Sequence, residues 1–190
     1  MALAVHETLI VTAEELRRSG WRAEITGEGD LTVAPTADAE HDDYQSNLRL
    51  RLLRTLRRRP DLDLRVSTNL EVTLPRGASR IPDLIVYKSD PSWPNENRIS
   101  GERLILAVEV ISPANRPNWQ RNLLADYHRQ PVPEVWLVQR TPEPAIERLV
   151  PSPTGYVRSE RLTGSQIMRW SCGDAELSFT VDELGDLDSL

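Results

Sequence analysis

Cysteine is almost absent from this 190-residue sequence. Cys172 stands alone, so no intramolecular disulfide can form and no cysteine-based zinc site exists. Lysine is equally scarce: Lys88 is the only one, and arginine supplies the rest of the 23 basic residues. The three histidines, His6, His41 and His128, are scattered without metal-ligand spacing. No apolar run is long enough to span a bilayer. The stretch from Met1 to Ile10 contains His6 and Glu7 and has no basic lead, which does not fit a signal peptide. These absences set the expectation of a cytoplasmic protein with no membrane association. The net charge of −6 argues against a protein that coats nucleic acid, because such binding relies on neutralising phosphates. What remains is an ordinary globular composition, 39% hydrophobic and 27% charged, at a length that suits one domain over residues 1–190 with one buried core.

Local patterns place the elements. Thr12-Ala13-Glu14-Glu15 reads as a capping box with Gly20 as a stop, which predicts a short helix over 13–19. Strands over 21–26 and 30–35 are joined by Gly27-Glu28-Gly29-Asp30, a hairpin signal. Asp38 and Asp42 are both acceptable caps for a long helix that ends before Pro60. On that helix Leu48, Leu52, Leu53 and Leu56 share one face and Arg51, Arg54 and Arg58 lie opposite. The arginine face has two readings, a solvated surface or a contact with a phosphate backbone. Residues 64–74 alternate as one or two strands, 81–87 form another, and 90–101 read as a surface loop. Leu104 to Ile111 is a nearly continuous apolar run, the mark of a central strand covered on both faces. A helix over about 118–130 follows, then strands at 134–139, 145–150, 156–162 and 175–180. Cys172 and Gly173 fall in an expected turn. The order predicts a mixed α/β sheet flanked by helices.

Two acids stand out in this pattern. Glu109 lies inside Leu104-Ile105-Leu106-Ala107-Val108-Glu109-Val110-Ile111, where every neighbour is apolar. A carboxylate on a buried strand is costly unless something pairs with it. The partner is either one of the many arginines or a metal ion, and the strand by itself favours neither. Asp83, after Pro82, opens the strand Leu84-Ile85-Val86-Tyr87. Two neighbouring strands that each carry one inward acid bring two carboxylates together, and both stay ionised only with a cation between them. Oxygen ligation of that kind suits a hard divalent ion, Mg²⁺ or Mn²⁺, and metal-assisted hydrolysis.

Pro82-Asp83, then Val108-Glu109-Val110-Ile111-Ser112-Pro113, then Val132-Pro133-Glu134-Val135-Trp136-Leu137-Val138 resemble the Uma-two family of restriction endonucleases, within the PD-(D/E)xK nuclease superfamily. The resemblance runs from Thr12 to about Val150. It implies a restriction-endonuclease-like mixed central sheet flanked by helices, and a metal-dependent activity that hydrolyses phosphodiester bonds in DNA. Asp83 matches the family's metal-binding aspartate, and Glu109 the glutamate of its (D/E)xK motif. Glu24, in Ala23-Glu24-Ile25-Thr26-Gly27, resembles a third site acid. The resemblance also makes the backbone carbonyl of Val110 a metal ligand. His41 falls where relatives carry a histidine, and a homodimer follows from the habits of nucleases that cut two strands.

The departures from the family pattern matter as much. Its lysine comes from the helix after Ser112-Pro113, and an ungapped match to Tyr127 puts that lysine at Leu123 and an accompanying aspartate at Trp119. Neither residue has the required chemistry. Arg116 and Arg121 are the candidate substitutes, and arginine binds phosphate but is a poor proton acceptor. Trp136 and Tyr127 flank the site, where an aromatic ring either packs the core or stacks on a base. Two function classes follow: a metal-dependent endonuclease with weakened catalysis, or a non-catalytic nuclease-fold protein that binds nucleic acid or a protein partner.

Overall fold

A computed structural model describes residues 2–34, 38–90, 97–111 and 118–186. Helix α1 spans Ala2–Arg18; the strands Arg22–Ile25 (β1) and Leu31–Ala34 (β2) follow as a hairpin. Helix α2 covers Ala39–Arg57, and β3 (Leu64–Thr68), β4 (Glu71–Thr73), β5 (Ser79–Arg80), β6 (Leu84–Lys88), β7 (Arg98–Ser100) and β8 (Leu104–Ile111) come next. Helix α3, Trp119–Arg129, precedes β9 (Glu134–Gln139), β10 (Ala145–Ser152), β11 (Gly155–Thr163), β12 (Ile167–Cys172) and β13 (Ala175–Thr180).

The central sheet has the order β11-β10-β9-β8-β6-β3. Only β8 and β9 run parallel in it, because α3 carries the chain back across the sheet between them. Alternation along β6 and β8 divides two cores. Leu84, Val86, Leu106, Val108 and Val110 pack under α2 with Tyr44, Leu48, Leu52 and Leu56. Ile85, Tyr87 and Ala107 pack under α3 with Leu123 and Tyr127. β8 is therefore apolar on both faces, as its unbroken run predicts. A smaller sheet of order β2-β1-β5-β4-β7 lies beside this layer, and β12 and β13 form a separate hairpin. The fold is thus mixed α/β, as the order of patterns implies. No described helix is long and apolar enough to cross a membrane.

Some elements differ from their sequence patterns. α1 runs through Thr12 rather than starting there: the Thr12 hydroxyl donates to the Thr8 carbonyl at 2.9 Å, a bond within the helix that leaves it unavailable as a cap. The stretch after Asp90 contains a strand, β7, which pairs parallel to β4. β12, which the strand patterns leave out, follows a turn at Gly164, where φ is 57°. It forms because Met168 and Trp170, two apart, are both buried beneath the main core, which is strand periodicity on a half-exposed ribbon. Helix α2 is capped by Asp38, whose Oδ1 accepts from the His41 amide at 2.8 Å. Its arginines are not equivalent. Arg54 and Arg58 are exposed, but Arg51 lies over the Phe179 ring at 5.4 Å and donates to Asn47 at 2.6 Å, so it is a packing residue.

Candidate active site

The register of β6 against β8 brings the two strand acids together. Leu84 pairs with Val108, so Asp83, one residue before, lies beside Glu109, one residue after. Glu109 sits between two residues of the α2 core and its side chain therefore points to the α3 side. There the Tyr127 hydroxyl donates to Glu109 Oε1 at 2.8 Å. The Val110 amide donates to Asp83 Oδ2 at 2.7 Å. From the other side α2 reaches the same residue. His41 Nε2 lies 3.1 Å from Asp83 Oδ2, and the Gln45 side chain donates to the Asp83 carbonyl. His41 and Gln45 are four apart on the helix and continue the stripe of Leu48 and Leu52, which is why both reach inward. His41 Nδ1 is buried with no hydrogen-bond partner among the described residues.

Glu24 comes from the second sheet. Its Oε1 accepts from the Ile81 amide at 2.9 Å and its Oε2 from Arg80 Nη1 at 3.2 Å. The three acids named from sequence are thus assembled in one place, and one side chain touches them all. Arg22, two residues before Glu24 on β1, donates Nη1 to Asp83 Oδ1, Nη2 to Glu109 Oε2 at 3.2 Å and Nε to Glu24 Oε1 at 3.3 Å. The acids are nearly inaccessible, whereas the Arg22 side chain is 25% exposed. Of these four side chains Arg22 is the one with appreciable exposure.

Below this layer lies a second ion network. Arg80, 1% exposed, donates Nε to Asp126 Oδ2 at 3.0 Å and Nη2 to the same oxygen at 2.5 Å. Asp126 Oδ1 accepts from the Gly27 amide at 3.0 Å and from Arg129. A Cβ on Gly27 would stand 2.6 Å from Asp126 Oδ1 and 2.1 Å from Arg129 Nη1, so a side chain there would have to displace the Arg129 guanidinium and the Asp126 carboxylate from their places. Helix α3 is thereby tied to the β1–β2 hairpin and to β5 behind the acids.

The charges share their surroundings unequally. Burial opposes ionisation of Asp83, but Arg22, His41 and the Val110 amide outweigh it and hold the carboxyl below its usual range. For Glu109 burial dominates, the neighbouring Asp83 adds to it, and the carboxyl is pushed up to about 8 against the pull of Arg22. Burial and the adjacent Glu109 raise the Tyr127 hydroxyl, which stays a proton donor. Arg22 is also raised: burial works against its charge, and Glu24, Asp83 and Glu109 together overcome it. One guanidinium facing three carboxyl groups leaves an excess of negative charge, and a proton on Glu109 relieves it.

A pH dependence follows. The folded protein holds the Glu109 proton more tightly than the unfolded chain does, so stability falls as pH rises from the usual glutamate range, near 4.5, to about 8. The slope of this contribution is at most about 1.4 kcal/mol per pH unit. Asp83 acts in the opposite sense, adding stability above its usual range that is lost as pH drops through its lowered value. Urea unfolding in EDTA at a series of pH values should show the alkaline decline in the wild type. Glu109→Gln, which cannot ionise, should flatten it; an unchanged decline would assign it to another group.

Several site members escape a reading of the sequence alone. Arg22, Arg80, Gln45 and Asp126 carry no motif, and Tyr127 proves to be a hydrogen-bond donor to Glu109 as well as a core residue. Of the two arginines proposed as substitutes for lysine, Arg121 is exposed and bonds none of the three acids, and Arg116 lies outside the described residues, as does Ser112-Pro113. Leu123 and Trp119 lie one and two turns before Tyr127, and Leu123 is fully buried. Trp136 packs edge-on against Trp170, with ring centroids 6.2 Å apart, in the core under α2 and away from Glu109. The Val110 carbonyl belongs to a residue paired with Val138 in the sheet. Among the described residues no group of three histidine, cysteine or acidic side chains is spaced to hold a metal ion as it stands. The donors themselves, three carboxylates, suit a hard divalent cation, and a guanidinium takes the central contacts.

Comparison with known proteins agrees with this architecture. No curated protein matches the sequence. The fold is shared with a crystal structure from Anabaena variabilis ATCC 29413, described as "a putative nuclease belonging to DUF820". The TM-score is 0.68 at 15% identity, over 86% of this chain and 89% of that one. At such identity the likeness speaks for the fold alone. The family model Uma2, described as "Putative restriction endonuclease", matches residues 10–173. With most of its length matched, and with its strand acids gathered at one end of β6 and β8, the chain belongs to the Uma2 family.

Proposed function

We propose that this protein is a metal-dependent endonuclease, within a single domain over residues 1–190, that hydrolyses phosphodiester bonds in DNA with reduced catalytic power. The observation that carries the reading is the convergence of Asp83, Glu109 and Glu24, from separate segments, on contacts with a single cationic group. Buried acids are not brought together without a cation to offset their repulsion, and here three share one guanidinium. Asp83, Glu109 and Glu24, with the Val110 carbonyl, would hold Mg²⁺ or Mn²⁺. Such an ion supplies a Lewis acid for the phosphate and lowers the pKa of the attacking water. Tyr127 fixes the Glu109 carboxyl from below and His41 orients Asp83. The reduced power follows from Leu123 and Trp119, where the family pattern has a lysine and an aspartate. A site without that cation loses on the order of 10²–10³ in rate. A homodimer and a cytoplasmic setting complete the proposal.

The test is incubation of plasmid and single-stranded DNA with Mg²⁺ or Mn²⁺, wild type beside Glu109→Ala. Slow, metal-dependent cleavage by the wild type and its loss in the variant are expected. A second reading, a non-catalytic protein that binds nucleic acid or a protein partner, draws on the neutralisation of the acids by Arg22. It takes the lead if neither protein cleaves at concentrations where a related enzyme does.

A further inference from the structure

We infer that the acidic pocket is a one-cation site for which the Arg22 guanidinium and a divalent metal ion are alternative occupants, so that metal enters only as Arg22 leaves. The inference rests on the reading that this pocket takes a divalent ion, and adds the competitor built into the chain.

The geometry is that of a counter-ion. The three nitrogens of a guanidinium lie in one plane and point outward as a fork. Here each nitrogen is spent on a different carboxylate: Nη1 on Asp83, Nη2 on Glu109 and Nε on Glu24. The oxygens stand off at 3.2 Å and 3.3 Å from Nη2 and Nε, distances set by hydrogen bonds. Mg²⁺ requires its oxygens at about 2.0–2.1 Å, so the same carboxylates have to close inward around an ion. They cannot do so while a guanidinium lies between them.

Arg22 is also the member of the pocket that is able to move. Asp83, Glu109 and Glu24 are held by further partners, the Val110 amide, Tyr127, and Arg80 with the Ile81 amide. Among the described residues the Arg22 side chain bonds only the three acids, and it is a quarter exposed. A rotation about its flexible stem would deliver it to water without disturbing the strands. Its backbone stays in register, with Arg22 opposite Ala34.

The decisive experiment measures Mn²⁺ binding to the full chain without DNA, by calorimetry and by loss of the free-ion paramagnetic resonance signal. Arg22→Met removes the guanidinium and keeps the stem. Its Kd for Mn²⁺ should fall at least about tenfold below that of the wild type, and Glu109→Gln added to it should cancel the gain. In EDTA the Arg22→Met protein should melt lower than the wild type, and saturating Mn²⁺ should recover the loss. An Mn²⁺ affinity equal to or weaker than that of the wild type, or no binding by either protein, would overturn the inference. Should Arg22→Met fail to fold in both EDTA and Mn²⁺, Arg22→Lys decides. Its compact ammonium cannot span three carboxylates, and its Kd should still fall at least about threefold, with an unchanged value counting against competition. The two readings separate cleanly. Tight Mn²⁺ binding by Arg22→Met with no cleavage by any variant supports the inference and removes the endonuclease. Glu109-dependent cleavage by the wild type with unaltered affinity in Arg22→Met does the reverse.

Discussion

Replacing Arg80 with alanine is expected to lower the free energy of unfolding by about 3–5 kcal/mol, the cost of leaving buried charges without their partner. Arg80 is fully enclosed, and it is shared between Glu24 and Asp126, both also buried. Removing it takes the most enclosed cation from two interior carboxylates, one of them a member of the candidate site, and leaves Glu24 to Arg22 and Asp126 to Arg129. Since whole domains are stable by only about 5–15 kcal/mol, the variant should be close to unfolded at moderate temperature. Lysine should not rescue it, because an ammonium has no fork with which to serve two acids at once. Urea unfolding of Arg80→Ala measures the effect. Arg59→Ala is the control: Arg59 pairs with the exposed Asp61 and Asp174, and its loss should leave the midpoint unchanged. A loss below about 1 kcal/mol in Arg80→Ala would mean that the network is not what fastens α3 to the β1–β2 hairpin.

Installing Leu123→Lys together with Trp119→Asp should raise metal-dependent cleavage on the order of 10²–10³-fold. The two positions and Tyr127 recur at intervals of four on α3, so they share the face that meets β8. Tyr127 already reaches Glu109 from that face. An ammonium one turn earlier enters the same interior, where the carboxylates offer it a partner that Leu123 has no use for. The exchange removes a fully buried leucine from the α3 core, so folding must be checked first by circular dichroism. Leu123→Met is the control for packing and should change neither fold nor rate. A folded double variant with no gain in cleavage would show that these two positions do not limit the chemistry.

Periodicity along short stretches was enough to read much of the architecture. Leu104–Ile111 is a strand buried on both faces because eight residues in a row favour no polar side except Glu109. Asp38 caps α2 through a bond three residues long. The hairpin at residues 27–30 turns at Gly29, whose φ is 87°, and is closed by the Asp30 amide on the Thr26 hydroxyl. Each of these depends on residues close in the chain, and local sterics and burial decide them. The patterns that misled were equally local. Thr12 has the chemistry of a cap, and the face of α1 preceding it extends the helix, so its hydroxyl turns inward to Thr8. Arg51 has the spacing of a surface residue, and Phe179, from a distant hairpin, covers it.

By itself the sequence determined that Asp83 stands at the head of one apolar strand and Glu109 inside another, because an acid among aliphatic residues is visible without any partner, and that lysine is missing from the expected helix. Which cation answers those acids was decided only by the tertiary structure. Arg22 lies 61 residues from Asp83 and 87 from Glu109, and Arg80 lies 46 from Asp126. In a chain with one lysine and many arginines, every guanidinium is chemically the same until the packing of one sheet against another selects among them. Coulomb attraction is not directional enough to encode that selection locally. The turn at Gly27, the register of β6 on β8 and the seat of α3 encode it together, and they exist only once the chain has folded.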